Sequence, residues 1–256
     1  MKIATWNVNS LRVRLPQVLQ WLESAQPDFL ALQETKTTDD VFPETDLLAA
    51  GYHALFSGQK TYNGVAILSR MPGRDIITDI PGLEDPQRRV LATTYGNVRL
   101  INLYVPNGES IESDKYQYKL NWLDKLAEWL KSELEQYAKL VVVGDFNIAP
   151  ADADVHDPVA WKDSVLCSPA ERAAFHRLLD LGLCDSFRNF EQAENSFSWW
   201  DYRMNAFRRN RGLRIDHILV SDALREVCTA CNIDKVPRAW ERPSDHAPVI
   251  AEFSIN

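Results

Sequence analysis

The sequence predicts a single α/β domain on three observations. Short apolar runs recur from one end to the other, amphipathic helical patterns lie between some of them, and no linker or low-complexity tract interrupts the alternation. A chain of 256 residues with 45% hydrophobic content can bury a sizeable core in one unit spanning residues 1–256.

Strands are expected, in chain order, at KIATWNV (2–8), DFLALQ (28–33), GVAILS (64–69), VLATTY (90–95), VRLINLYV (98–105), KLVVVGDF (139–146), RIDHILVS (214–221) and APVIAEF (247–253). Most are rich in β-branched residues, which fit the pleat. In KLVVVGDF the run Leu140 to Val143 shows no polar alternation, so both faces of that strand are expected to be covered. Helices are expected at LPQVLQWLES, with Pro16 near its start, at the long segment 113–137, and at SPAERAAFHRLLDLG, opening at Ser168 and closing at Gly182.

The formal net charge of -8 argues against a protein that holds nucleic acid by broad electrostatic attraction. Local clusters run the other way. Arg203, Arg208, Arg209, Arg211 and Arg214 crowd one segment beside Trp200, Tyr202 and Phe207, and Arg88 with Arg89 form a second cluster. Such arginines either clamp a phosphate backbone or form a solvated loop. No stretch approaches the roughly 18 apolar residues of a membrane span. The start lacks the apolar segment of a signal peptide, so a cytoplasmic location is expected. Cys167, Cys184, Cys228 and Cys231 do not form a dense disulfide framework, and the lone C-x-x-C is expected to hold reduced, partly buried thiols.

Several apolar runs end in groups that an apolar strand does not need. Asn7 and Asn9 close the first, Glu34 the second, Tyr104 and Asn107 the fifth, and Asp145 and Asn147 the sixth. Asp216 sits inside an apolar run beside His217, and Asp245 and His246 immediately precede the last strand. Gathering ionised carboxylates with an imidazole is costly unless a cation neutralises them or they share protons. Oxygen ligands without thiolates suit a hard ion, magnesium or manganese, and such ions are commonly completed by substrate phosphate.

That points to phosphoryl chemistry. Asp145 can orient or deprotonate water while the Asn147 amide donates a hydrogen bond. His246 can donate to a phosphate oxygen, with Asp216 orienting its ring and keeping it protonated.

The segments WNVNSLR, LQETK, YNGVAILSR, LYVPNG, GDFNIAP, WWDYR…NRGLRIDHIL and PSDHAPV occur in the order found in the exonuclease III family of abasic-site endonucleases, within the endonuclease/exonuclease/phosphatase superfamily. The resemblance runs from Met1 to Phe253. It implies a four-layer αββα sandwich of two packed mixed sheets flanked by helices, the DNase I-like architecture, with the site at one end. Glu34 resembles the principal metal ligand, assisted by Asn7 and Asp245. Asp145 resembles the water-activating acid and Asn147 its amide partner. His246 resembles the phosphate-binding imidazole, Asp216 its acid and Tyr104 a phosphate-contacting tyrosine.

For DNA, the resemblance implies that Trp199, Leu213 and Ile215 wall an apolar pocket for a base-less sugar. Arg203 and Arg208 to Arg211 match a groove-entering loop, with Arg88 and Asn107 as further DNA contacts. One departure stands out: many relatives carry glycine or serine followed by an aromatic where this chain has Leu166 and Cys167. A larger side chain there is expected to narrow the pocket, sparing 3′-end trimming more than abasic incision.

The implied activity is magnesium- or manganese-dependent hydrolysis of phosphodiesters in double-stranded DNA bearing abasic sites or blocked 3′ ends. It includes 3′–5′ exonuclease and 3′-phosphatase action by a monomer. The alternatives are a superfamily phosphatase acting on inositol phosphates or sphingomyelin, and a non-catalytic DNA-binding module. The complete set of acids, amides and imidazole argues against the latter.

Overall fold

The computed structural model describes residues 1–255. Twelve strands are present: β1 (Lys2–Asn7), β2 (Phe29–Gln33), β3 (His53–Ser57), β4 (Val65–Ser69), β5 (Arg74–Ile77), β6 (Val90–Tyr95), β7 (Val98–Tyr104), β8 (Lys139–Asp145), β9 (Leu183–Asp185), β10 (Asp216–Ser221), β11 (Cys228–Ile233) and β12 (Val249–Phe253). The helices are α1 (Leu11–Ala25), α2 (Glu44–Ala49), α3 (Asp114–Gln136), α4 (Pro169–Asp180) and the short α5 (Asp222–Arg225). The strands form two six-stranded sheets, ordered β11-β12-β1-β2-β4-β3 and β5-β6-β7-β8-β10-β9. Both are mixed, because β1 pairs parallel with β2 and β7 parallel with β8 while the other pairings are antiparallel.

Three apolar layers glue the sandwich. Between the sheets lie Ile3, Ala31, Ile67, Leu100, Val141, Val143 and Ile218. Trp6, Val18, Trp21, Leu22 and Leu30 join the first sheet to α1, and Trp122, Leu126, Leu130, Val142, Phe175 and Leu178 join the second to α3 and α4. Alternate residues of β8 therefore enter different layers, Val141 and Val143 one, Leu140 and Val142 the other. That is why the strand shows no polar alternation.

Helix starts follow their caps. Ser113 accepts from the backbone N–H groups of Lys115 and Tyr116, and Ser168 forms a capping box with Glu171 ahead of Pro169. Gly182, at φ +103°, follows the end of α4. Helix α1 departs from expectation: it begins at Leu11, so Pro16 lies inside it. Burial of Val18, Trp21 and Leu22 against the first sheet holds the helix across that proline.

Register places the site. Asp145 at the end of β8 is flanked by Tyr104 of β7 and Asp216 of β10, a row of three polar residues across adjacent strands. In the other sheet Asn7 pairs with Gln33, next to Glu34. Gly144 makes the row feasible: at φ +147°, an added Cβ would lie 1.9 Å from the Leu103 carbonyl oxygen.

Candidate active site

At one end of the sandwich the strand-end residues meet. Ligand atoms of Glu34, Asp145 and His246 lie within 4.8 Å of one another, the one such acidic or imidazole group among the described residues. The buried Asn7 amide donates to Glu34 Oε1 at 2.9 Å and to Asp145 Oδ2 at 2.8 Å, while its own oxygen accepts the Asn9 N–H. Asn7 thus presents its N–H groups to both carboxylates. Glu34, at φ +51° just past β2, also pairs with Lys36 at 2.7 Å.

Asp245 stands beside this group rather than in it. Its two oxygens accept from Asn9 Nδ2 and from the Trp199 indole, each at 3.0 Å. Burial alone would raise its carboxyl, but His246 and those two hydrogen bonds outweigh it and hold the group below its ordinary range.

His246 is buried between two acids. Its Nδ1 lies 2.9 Å from Asp216 Oδ2, and its Nε2 lies 3.7 Å from Asp145 Oδ2. Burial would strip the ring's proton; Asp216 and Asp145 prevail and push its pKa up to about 10. Burial and the Asp216 charge lift Asp145 in turn, against the pull of His246 and of hydrogen bonds from Asn7 and Asn147. Because Asp216 holds the ring on its other side, the shared proton belongs on the imidazole. Ser198 fixes Asp216 from behind, donating to Oδ2 at 2.6 Å while accepting the N–H groups of Ile215 and Asp216.

Tyr104 completes the row. Burial, then Glu34 and Asp145, raise its phenol well above the ordinary range despite Arg89, whose guanidinium sits 4.9 Å from the ring centroid. The hydroxyl is therefore neutral, a donor. Asn147, at φ +50°, receives the Asn107 amide at 3.0 Å on its Oδ1 and donates its own to the Val105 carbonyl at 3.0 Å. The backbone N–H of Asn147 donates to Asp145 Oδ1 at 2.9 Å.

The apolar residues singled out in the sequence also gather. Leu166, Leu213 and Ile215 are buried together with Ala149, Val155 and Cys167, and Trp199 packs against them. Trp200 is instead core, enclosed with Phe197, Ala206 and Ala247. Leu166 takes φ +73°, a backbone that favours glycine.

The arginines divide. Arg203 lines an open groove of about 1410 Å³ that runs from Tyr104 and Asn107 past Tyr62, Arg89 and Lys115. Arg208, Arg209 and Arg211 are exposed on the same loop. Arg88 points instead to Asp79, 3.3 Å away. Arg214 does not belong to the surface cluster: it is fully buried, paired with Asp154 and Asp185. The four cysteines are free thiols.

Sequence reasoning missed Lys36, Ser198, Ser244 and Arg238. Ser244 ties the His246 loop to β1 by donating to the Asn7 carbonyl at 2.7 Å. Arg238 donates to the Ser244 carbonyl from among the rings of Trp200, Tyr202 and Phe207. Only Lys36 had a sequence signal, its place two residues after Glu34.

The carboxylates fit a hard divalent cation. They converge, they offer oxygen and no thiolate, and Glu34 and Asp145 share the N–H groups of the Asn7 amide while Lys36 pairs with Glu34.

Two packed mixed sheets whose ends converge on acids, amides and a protonated imidazole define a DNase I-like α/β-sandwich hydrolase. The chain belongs to the endonuclease/exonuclease/phosphatase family, whose sequence profile matches residues 4–246. It is 41% identical to the exodeoxyribonuclease III of Haemophilus influenzae, over 99% of this chain and all of that protein. The Neisseria 3′ phosphatase NExo, solved with a product DNA hairpin, superposes with TM-score 0.98 at 52% identity, covering all of both chains. An AP endonuclease from Archaeoglobus fulgidus superposes at 0.96 with 39% identity, again over both full chains. Among the described residues no helix is long and apolar enough to cross a membrane.

Proposed function

We propose that the chain is a DNA repair nuclease that hydrolyses phosphodiesters in double-stranded DNA. Acting as a monomer, it would remove nucleotides and blocking groups from 3′ ends and incise abasic sites weakly. The observation that carries this reading is the convergence of Glu34, Asp145 and His246 at the end of a row that includes Tyr104 and Asp216. The likeness to the exodeoxyribonuclease III of Haemophilus influenzae and to the Neisseria 3′ phosphatase supports DNA as the substrate.

Glu34 would hold a magnesium or manganese ion, with Asp145 and Asp245 the further acids beside it and Asn7 steadying Glu34 and Asp145. When bound, that ion supplies Lewis-acid polarisation of a phosphate oxygen. Asp145 orients water and takes its proton, and Asn147 donates a hydrogen bond toward the same position. The protonated His246, oriented by Asp216, and the neutral Tyr104 donate to phosphate oxygens as charge develops on them. Water attacks phosphorus as its proton passes to Asp145, the P–O3′ bond breaks, and O3′ takes a proton from solvent, so that the strand left behind ends in a 3′ hydroxyl. Arg203 and Asn107 would hold the flanking DNA from the groove.

The test is digestion of a duplex with a recessed 3′ end and of one with a 3′ phosphate. Both should be consumed with magnesium or manganese and spared with EDTA; a chain inert on both, with either metal, refutes the reading.

Leu166 sets the balance of activities. Its side chain is 5% exposed and fills space between Cys167, Leu213 and Ile215, where a base-less sugar would need room. Leu166→Gly, favoured by the backbone, is expected to raise abasic incision about tenfold or more while changing 3′-end trimming little. Equal and strong abasic incision by both chains would rule this out.

A further inference from the structure

Beneath the site lies a charge that none of these steps uses. Lys119 of α3 is fully buried, and a lysine ammonium has three N–H donors and no other way to be satisfied. All three find acceptors: the Asn147 carbonyl at 2.7 Å, the Asn107 carbonyl at 3.1 Å and Glu171 Oε1. Glu171 is itself fully buried and accepts the Leu166 N–H at 3.0 Å, while its other oxygen takes the N–H and hydroxyl of Ser168. One ion pair therefore reaches the loops that carry Asn107, Asn147 and Leu166.

A buried ion pair is a poor device for stability alone, since apolar side chains of the same volume commonly do as well or better. Its geometry suits a different task. The Asn147 residue is clamped at both ends, its N–H by Asp145 and its carbonyl by Lys119, in a left-handed backbone. The Asn107 loop packs directly on the lysine stem, for a Cβ added at Gly108 would sit 3.3 Å from Lys119 Cδ.

We propose that Lys119, neutralised by Glu171, is a positioning residue that acts through the Asn107 and Asn147 carbonyls to fix the hydrogen-bonded Asn107–Asn147 amide pair beside Asp145. This rests on the reaction proposed above. The alternative is a tie between α3 and α4 with no bearing on chemistry.

The test replaces both charges together, Lys119→Met with Glu171→Gln, so that no lone charge stays buried. Rates on the 3′-recessed duplex and melting temperatures are then compared for the native chain, this double variant, Asn147→Ala and the triple combination. The double variant should melt near the native temperature, with kcat roughly 10- to 100-fold lower, the scale of an ångström-sized misplacement, and KM changed little. The loss should vanish against Asn147→Ala, leaving the triple variant equal to Asn147→Ala alone. A folded double variant with native kcat, or a loss that simply multiplies with that of Asn147→Ala, overturns the assignment and leaves the reaction standing.

If the double variant does not fold, Glu171→Gln alone decides. It keeps the nitrogen on both carbonyls, so kcat should stay within about threefold of native despite lowered stability; a loss of tenfold or more overturns the proposal. A native chain inert on DNA overturns the reaction itself, and this inference with it.

Discussion

Asp216 and His217 are neighbours in β10, yet they belong to two buried ionic clusters on opposite faces of the second sheet. Asp216 faces His246 and the site. His217 faces Phe146, Phe175 and Arg214, in the layer beneath α4. The Arg214 cluster is closed: its guanidinium meets Asp154 at 2.7 Å, Asp185 at 2.8 Å and His217 Nδ1 at 3.0 Å, and Arg188 pairs with Asp154 as well. The site is open, with Glu34, Asp145, Asp216 and Asp245 answered by only Lys36 and His246.

The two histidines record the difference. His246, between carboxylates, is pushed up to about 10, whereas burial and the Arg214 charge push His217 down to about 4. A closed cluster is built to stay as it is; a surplus of carboxylates is built to receive a cation.

The largest expected effects separate the clusters by what they lose. Asp145→Asn removes the proposed water-activating acid and should lower the rate of 3′-end removal by about 10³- to 10⁴-fold in single-turnover assays. Its melting temperature should not fall, since a surplus buried charge has gone. Arg214→Met leaves Asp185 buried without its cation and Asp154 with Arg188 alone, and should destabilise the fold by about 3–5 kcal/mol in urea unfolding. The molecules still folded should cleave at close to the native rate. If Arg214→Met abolishes cleavage without loss of stability, the division into a structural and a functional cluster is wrong.

That division was only half legible in the sequence. The eight apolar runs correspond to the eight strands that have neighbours on both sides, while β3, β5, β9 and β11 are the four sheet edges. Edge strands such as Arg74–Ile77, mostly exposed, need no continuous apolar run, so periodicity does not reveal them. The strand-end acids, Tyr104, Asn147 and His246 stood out because polar groups there have no packing reason. Arg214 read as one more surface arginine, since nothing local shows that Asp154 and Asp185 wait for it across the fold. Lys119 and Glu171 were hidden likewise, each an ordinary charged residue in a helical pattern until the fold buries them against each other. The left-handed backbone of Leu166 is set by its loop, and a leucine gives no local sign of it.

Acid should sharpen the contrast more gently. The folded state resists protonating His217, whose neighbours are Arg214, Asp185 and Asp154, until pH falls to about 4, while the unfolded chain takes that proton near its ordinary value of 6.5. At His217 the unfolded state therefore binds more protons in this window, and this group's contribution to stability declines as pH drops from about 6.5 to about 4, while the raised carboxyl of Asp145 works in the opposite direction. For a fully buried ring the loss is on the order of 3 kcal/mol. His217→Gln can still accept from Arg214 and donate to the Ile148 carbonyl, and should flatten the decline in urea unfolding measured across that range. Asp154 and Asp245, both held low, lose their contributions only at lower pH and so do not mimic it. An unchanged slope in His217→Gln would place the acid sensitivity elsewhere.

The smallest effect bears on the open cluster alone. If the carboxylate surplus receives a cation, magnesium or manganese should stabilise the native chain in the absence of DNA. At ten times the dissociation constant the gain is about 1.4 kcal/mol, worth roughly 3–5 °C in a chain of this size. Part of the binding energy is spent displacing Lys36 from Glu34, so Lys36→Met should melt with a larger shift at the same ion concentration. Glu34→Gln and Asp145→Asn should each shrink the shift, whereas Arg214→Met should retain it although its starting temperature is lower. Melting reports this binding without turnover. A native chain whose melting temperature ignores millimolar magnesium and manganese would mean that Lys36 and Asn7 already satisfy the carboxylates, and the site would then be as closed as the one around Arg214.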